Sequence, residues 1–266
     1  MRLQTLFKPL TDRKHRKLLP QNHSLEDIFL VSYPKSGNTW LRFLIANAIK
    51  VKYDIDREVN FFSIHDIIPD VHISSEILPQ GPFGRQDLPR IIKSHAPFNP
   101  HYHRVILLIR NPADVVVSYY YYLRNYGEIP ESMTLSAFIE THEKGIQSWV
   151  DHTASWLQPQ RIGQILKVFS YEDLKQDTAG QLSKMMSLIG IQLSEEQLAQ
   201  AVMLSSKDAM SASEQQHVSN HLIKHQKTPF VRQGKTRGGK GLSAADSDLI
   251  RARSQIVVEQ MKAQWF

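Results

Sequence analysis

Short runs of consecutive apolar residues alternate along this chain with longer segments in which apolar residues recur every three or four positions. The apolar runs predict buried strands near 27–31, 90–93, 105–109 and 165–171. The periodic segments predict helices that contain 41–49, begin at 112, cover 134–158 and run through 173–189, 194–205 and 244–264. Segment 53–90 has neither pattern, and its prolines and glycines are typical of surface loops. Together these elements predict an α/β protein.

The turn between the first strand and the first helix has the composition of a phosphate-binding loop. Its sequence is Tyr33-Pro34-Lys35-Ser36-Gly37-Asn38-Thr39-Trp40. The first amide groups of a helix and the positive end of its dipole favour an anion at this point. Gly37 allows a ligand to approach the backbone closely, and Lys35 adds a full positive charge. Short polar side chains for hydrogen bonds are supplied by Ser36, Asn38 and Thr39.

This loop differs from the G-x-x-x-x-G-K-[ST] pattern of nucleotide hydrolases. No glycine stands five residues before Gly37, and Lys35 precedes that glycine instead of following it. The order of residues therefore weakens the interpretation as a P-loop kinase or NTPase, which would use ATP and Mg²⁺. That function stays open as one alternative.

Three further strands end in polar residues that could meet the same ligand. Lys93-Ser94-His95 ends the second strand, and Tyr171 ends the fourth. The third strand ends at Arg110, after which Asn111 and Pro112 are suited to begin a helix. Ser118 stands eight residues after Arg110, about two helical turns on, so the two could hold one anion between them. The alternatives are an arginine paired with a carboxylate, a serine bonded to its own helix, and a structural histidine.

Composition limits the classes of function. The length of 266 residues is compatible with a single domain over 1–266. The chain has no cysteine, which excludes disulfides and thiolate metal sites. The net charge of +6 suggests an anionic partner, which could be a nucleotide, a nucleic acid or an acidic membrane. The basic N-terminal extension, 1–25, lacks the apolar core of a secretory signal, and no stretch approaches the ~20 apolar residues of a membrane span. We expect a cytoplasmic protein.

The polar region 213–243 is predicted to be a flexible basic loop. It either closes on a bound anion or is solvated. It could also bind nucleic acid, but its lack of interleaved aromatic residues argues against base stacking. His217, His221 and His225 are spaced four apart, but no carboxylate joins them at ligand spacing, so we predict no metal site.

Taken together, these motifs resemble those of the sulfotransferases that use 3′-phosphoadenosine 5′-phosphosulfate, particularly the cytosolic type. The stretch Tyr33–Trp40 resembles the family's 5′-phosphosulfate loop, and the stretch from Arg110 to Ser118 resembles its 3′-phosphate motif. Lys93-Ser94-His95 is similar to the stretch that carries the family's base. The resemblance implies a P-loop-like three-layer sandwich, in which a central, mainly parallel sheet is flanked by helices.

The resemblance also implies roles for individual residues. It implies in-line transfer of a sulfuryl group to a hydroxyl or amine, with His95 as the base and with Lys35, aided by Lys93, stabilising the leaving group. The donor would be held at its 3′-phosphate, its 5′-phosphosulfate and its adenine by Lys35, Ser36, Gly37, Asn38, Thr39, Trp40, Arg110, Ser118, Tyr171, Ser205, Arg232, Gln233 and Gly234. No metal is implied. Gln233 replaces the family's lysine, and Lys207 stands where the family has an adenine-stacking aromatic residue.

The acceptor is not specified by these motifs. A small molecule, a glycan or a lipid is compatible with the sequence, and the loops near 61–90 and 124–134 are expected to select among them. The oligomeric state stays open. A non-enzymatic binder of nucleic acid or of acidic surfaces, using the basic loop, is the second alternative function.

Overall fold

The computed structural model of the protein describes residues 16–72, 78, 80–157, 164–218 and 241–265. Within them a single sheet contains four strands, β1 (Ile28–Ser32), β2 (Ile91–Ser94), β3 (Arg104–Ile109) and β4 (Ile165–Ser170). All three pairings are parallel, and the strand order is β2-β1-β3-β4. The strands predicted from apolar runs are confirmed to within a few residues.

Ten α-helices connect and cover these strands in the described part of the chain. They are α1 (Asn38–Lys52), α2 (Ile64–Ile67), α3 (Pro112–Asn125), α4 (Leu135–Glu140), α5 (Ile146–Trp156), α6 (Tyr171–Gln176), α7 (Thr178–Leu188), α8 (Glu195–Leu204), α9 (Lys207–Val218) and α10 (Ala244–Trp265). The Asn111 side chain accepts a hydrogen bond from the Ala113 amide at the start of α3, as expected. A capping box between Ser194 and Gln197 begins α8.

The helix predicted over 173–189 is wrong in detail, because it is two helices. Its start lies at Tyr171, since the Ser170 hydroxyl accepts the amide of Asp173 and caps α6. Asp177 then leaves the helical region and accepts the amide of Gly180, which begins α7. Tyr171 therefore lies in the first turn of a helix instead of at the end of a strand.

Two hydrophobic cores lie on opposite faces of the sheet. Alternate strand residues such as Val31 and Leu107 pack with α3, α4, α5 and α10, whereas their neighbours Leu30 and Ile106 pack with α1, α7 and α8. The two central strands, β1 and β3, are buried on both faces, which explains their continuous apolar runs. The protein has the predicted three layers of helices, sheet and helices.

Strand order determines where a ligand fits. The chain leaves β1 and crosses to β2 on one side, while β3 pairs with β1 on the other side. The connections that follow β1 and β3 therefore diverge and leave a crevice at the carboxyl ends of these strands. The turn containing Lys35 and the segment beginning at Arg110 both start at this crevice.

Segment 53–90 is largely irregular, as predicted, with α2 and a single 3-10 turn at Pro82–Gly84 among its described residues. The predicted loop region 213–243 needs correction at its start, because α9 continues to Val218. Positions 219–240, which include His221 and His225, lie outside the described residues. No helix in the described part of the chain is long and apolar enough to cross a membrane.

Candidate active site

A cavity of about 680 Å³ opens at the carboxyl ends of β1 and β3. Residues from the β1–α1 turn, the end of β2, the start of α3 and helices α6 to α9 line it. Its principal polar and aromatic lining residues are Lys35, Thr39, Trp40, Lys93, His95, Arg110, Ser118, Tyr119, Tyr122, Glu128, Tyr171, Lys175, Ser205, Ser206 and Lys207. Five lysine or arginine side chains and one carboxylate line this cavity, so it favours an anion.

The β1–α1 turn brings the N-terminus of α1 to the cavity. Lys35 and Gly37 both adopt left-handed backbone conformations, with φ of 68° and 100°. No acidic residue lies in the first turn of α1, so the positive end of its dipole is not neutralised locally. The turn thus keeps the geometry and charge of an anion cradle without the glycine spacing of nucleotide hydrolases.

Two residues of this turn have polar side-chain groups that are buried or engaged with β1. The Ser36 hydroxyl is buried beside a separate cavity of about 10 Å³ that His152 also lines, and the Ser36 amide donates to the carbonyl of Tyr33. The Asn38 amide group donates to the carbonyl of Leu30 and to the hydroxyl of Ser32. Asn38 reaches the cavity border near the helix start, while Ser36 does not line the cavity.

Arg110 links the β1–α1 turn to the segment after β3. Its Nη1 donates a hydrogen bond of 3.2 Å to the carbonyl of Lys35. Its guanidinium carbon lies 4.2 Å from the centroid of the Tyr171 ring, and Lys35 Nζ lies 4.2 Å from the centroid of the Tyr122 ring. The face of an aromatic ring therefore helps to hold each of these two cations in position. Ser118, on the same helix as Tyr122, borders the cavity as well.

His95 lines the cavity, and one of its ring nitrogens is held by the main chain of β1. Its Nδ1 lies 2.7 Å from the carbonyl oxygen of Ser32, an acceptor only, so Nδ1 carries the proton and donates. Nε2 is then the basic nitrogen. Burial, with a smaller effect from the Lys93 ammonium, holds the pKa of His95 well below its ordinary value of 6.5. The ring is therefore neutral at neutral pH.

Lys93 is paired with Asp70. Its ammonium contacts the Asp70 carboxylate, and both side chains are largely buried, with 12 % and 4 % of their surface exposed. Burial lowers the pKa of Lys93 in spite of the carboxylate. For Asp70, burial acts to raise the pKa, but the Lys93 ammonium brings it below its ordinary value. The lowered pKa of Asp70 keeps its carboxylate charged at neutral pH, as the pairing with the Lys93 ammonium requires.

The other end of the cavity is formed around Trp40. Its indole N–H donates to the carbonyl of Ser205 at 3.1 Å, and its ring meets Tyr171 edge to face at a centroid distance of 5.7 Å. The Ser205 hydroxyl is fully buried and accepts the side-chain amide of Asn47. Lys175 Nζ lies 5.7 Å above the Trp40 ring. This end offers flat aromatic surfaces next to cations.

Most of the residues predicted for the site thus border one cavity. They are Lys35, Gly37, Asn38, Thr39, Trp40, Lys93, His95, Arg110, Ser118, Tyr171 and Ser205. Arg232, Gln233 and Gly234 lie outside the described residues. The sequence interpretation missed Lys175, whose position four residues after Tyr171 in α6 would have placed both on one helical face.

The expected contribution of the loops near 61–90 is only partly supported. No described residue of 61–90 lines the cavity, and Phe61 packs against Phe43 in one of the two cores. Glu128, from the other predicted loop, does line the cavity. In the described part of the chain, no group of histidines and carboxylates is arranged to hold a metal ion.

Comparisons with known proteins agree on one family. Residues 25–262 match the sulfotransferase domain. Sulfotransferase 1E1 of Bos taurus is 28 % identical over 248 residues, which cover 83 % of this chain and 81 % of the bovine protein. The crystal structure of mouse sulfotransferase SULT7A1 complexed with PAP covers 95 % of this chain and 93 % of that chain, with a TM-score of 0.63 and 21 % identity. That of retinol dehydratase in complex with retinol and PAP covers 94 % of this chain and 86 % of that chain, with a TM-score of 0.65 and 17 % identity. At these identities the two structures are similar to this chain in fold.

Proposed function

The chain belongs to the sulfotransferase family, and on that premise we propose that it transfers a sulfuryl group from 3′-phosphoadenosine 5′-phosphosulfate to a hydroxyl or amine of a small-molecule acceptor. The product nucleotide is 3′-phosphoadenosine 5′-phosphate, abbreviated PAP. The observation that carries this proposal is that Lys35 and His95 line the same cavity at the N-terminus of α1. Lys35 is a cation beside an anion cradle, and His95 is a neutral base.

In the proposed reaction His95 acts as the general base. Its Nδ1–H is fixed on the Ser32 carbonyl, so Nε2 accepts the proton that the acceptor oxygen or nitrogen loses as it attacks sulfur. The new bond to sulfur forms as the bond between sulfur and the bridging phosphate oxygen breaks. A low pKa keeps His95 unprotonated and ready at neutral pH.

Lys35 is proposed to stabilise the leaving group. As the sulfur–oxygen bond breaks, the electron pair stays on the 5′-phosphate oxygen, and a preorganised cation near that oxygen lowers the barrier. The first amide groups of α1 act in the same direction. Lys93 is proposed to assist through its charge, which lowers the pKa of His95.

The remaining polar residues are proposed to hold the donor. Arg110 and Ser118 would bind the 3′-phosphate by charge-assisted hydrogen bonds, and Arg232, Gln233 and Gly234 would complete that grip. Trp40 and Tyr171 offer aromatic surface to the adenine, next to the buried hydroxyl of Ser205. The excess of cations around the cavity supports the binding of this anionic donor there. Ser36 fits less well, since both its hydroxyl and its amide are directed elsewhere.

A small-molecule acceptor is the partner we propose. Tyr119, Tyr122 and Leu123 border the cavity next to Lys35. We propose that their rings and apolar carbons suit an aromatic or alicyclic alcohol. Retinol dehydratase, which is similar in fold, has been crystallised with retinol and with androsterone. A kinase using ATP and Mg²⁺ is the alternative that the same turn would permit.

Calorimetry with the full chain tests the donor. PAP and ATP are titrated separately, each with and without Mg²⁺, and sulfuryl transfer is then measured with a panel of phenols, alcohols and amines. We expect PAP to bind more tightly than ATP and its affinity to be unaffected by Mg²⁺. Tighter binding of ATP in the presence of Mg²⁺ would instead support the kinase alternative and reject the sulfotransferase reaction.

A further inference from the structure

The imidazole of His72 supports the main chain of His95. His72 Nε2 lies 2.7 Å from the backbone nitrogen of His95 and accepts its N–H. The two rings lie 6.1 Å apart between centroids and are nearly parallel, at 22°. We propose that His72 is a positioning residue for the base, which acts by holding the backbone of His95 at the end of β2.

The position of His95 explains why such support matters. β2 ends at Ser94, so the amide of His95 lies beyond the last residue paired with β1. A backbone amide at the end of a strand needs an acceptor, and His72 supplies, in place of water, the acceptor that the sheet no longer provides. The Ser94 hydroxyl serves the next amide, that of Ala96. Side chains therefore accept the hydrogen bonds of the first two amides after β2.

His95 is held from two sides as a result. His72 fixes its main chain, and the Ser32 carbonyl fixes its ring through Nδ1. Removing either contact frees a rotation that moves Nε2 relative to the cavity. Displacement of a catalytic group by about 1 Å lowers a rate by about a hundredfold, so a contact to the backbone has a direct effect on turnover.

His72 is itself fixed to β2. Its backbone N–H donates to Asp70 Oδ1 at 3.0 Å. The segment before it pairs with Lys93, since the Lys93 amide donates to the carbonyl of Pro69 and the Val71 amide donates to the carbonyl of Lys93. The Asp70 carboxylate also pairs with the Lys93 ammonium. These contacts join the loop of His72 to the strand that carries His95.

The required form of His72 is the neutral tautomer with its proton on Nδ1, because a protonated Nε2 cannot accept a hydrogen bond. Burial lowers the pKa of His72, with the Lys93 ammonium acting in the same direction and the Asp70 carboxylate opposing it. The ring is consequently neutral at neutral pH.

Two substitutions separate positioning from general stability. This inference rests on the proposed function, since turnover is its main readout. His72→Gln keeps an acceptor at nearly the same reach, whereas His72→Phe keeps a flat ring and loses the acceptor. We expect His72→Phe to lower kcat about ten- to a hundredfold, with KM for the acceptor and the affinity for PAP within about threefold of the parent. We expect His72→Gln to keep kcat within about threefold.

Three outcomes would overturn the assignment: a His72→Phe enzyme with the parent's kcat, a loss of kcat matched by an equal loss of PAP affinity, or a His72→Gln enzyme as impaired as His72→Phe. Nitrogen NMR of the parent protein, labelled in its histidines, provides a test that needs no variant and no turnover. We expect a protonated Nδ1 and an unprotonated Nε2 at His72. A protonated Nε2 would reject the proposal, whereas an inactive parent with the expected tautomer would count against the sulfotransferase reaction alone.

Discussion

The Tyr171 ring packs directly against the α-carbon of Gly37, so closely that a β-carbon built on Gly37 would lie 2.5 Å from Cδ2 of Tyr171. Gly37 begins α1, and Tyr171 begins α6, which follows the outermost strand on the other side of the site. The phosphate-binding turn and the aromatic wall therefore meet without an intervening side chain.

We predict that Gly37→Ala disrupts this contact and weakens donor binding. Alanine at φ of 100° is strained by about 1 kcal/mol, and its methyl group also displaces Tyr171 from Arg110. We expect PAP affinity to fall about tenfold or more, measured by calorimetry, because the ring moves.

Gly190→Ala is the matched control for backbone strain. Gly190 has φ of 81°, and a β-carbon there would have no neighbour within 4 Å. We expect Gly190→Ala to lower the free energy of unfolding, measured in urea, by about 1 kcal/mol. We expect its affinity for PAP to equal that of the parent. Equal PAP affinities in the two variants would show that the contact with Tyr171 is unimportant for binding.

Lys35→Ala tests the leaving-group role. Removing one preorganised charge from a transition state lowers kcat about a hundred- to a thousandfold, whereas we expect PAP affinity to fall about tenfold at most because Arg110 and other cations remain. Steady-state kinetics and calorimetry measure the two effects. Lys184→Ala, at an exposed position on α7, controls for loss of a lysine charge. A variant that loses binding and kcat equally would place Lys35 in donor binding only.

The pH dependence of kcat/KM tests the state of His95. Its pKa is lowered chiefly by burial, so the neutral, basic form persists below pH 6.5. We therefore expect the acidic limb of the profile to lie below the ordinary imidazole range, with activity nearly constant from pH 7 to 6.5. An acidic limb centred above pH 6.5 would contradict a buried, neutral base.

His152 is predicted to reduce stability in acid. Burial lowers its pKa to about 4, against 6.5 for the free side chain. Between these values the unfolded chain binds a proton that the folded protein does not, so stability falls as pH falls. From pH 7 to 5 this group contributes a loss of about 2 kcal/mol.

The comparison of the parent with His152→Gln isolates that contribution. Urea unfolding at pH 7 and at pH 5 gives the loss for each protein, and we expect a smaller loss in the variant, which cannot titrate at this position. The absolute stability of the variant does not enter the comparison. An identical loss in both proteins would mean that His152 is protonated in the folded state.

The sequence alone determined the elements and much of the site, because its signals are local. Five consecutive apolar residues before Arg110 are sufficient to indicate a buried strand, and a capping residue before Pro112 indicates where the next helix begins. Parallel strands have their carboxyl ends at one edge of the sheet, so the order of the motifs along the chain is enough to bring Lys35, His95 and Arg110 together there.

The tertiary structure decided what these side chains do there. Two contacts join residues from separate segments, namely the pairing of Lys93 with Asp70 and the hydrogen bond from the His95 amide to His72. The burial of Ser36 likewise depends on segments that pack around it. Whether a lysine is paired, or a histidine proton lies on one nitrogen or the other, depends on the burial and on the neighbour that folding supplies. Local sequence patterns fix the type of residue at a strand end, but only packing fixes its partner and its charge.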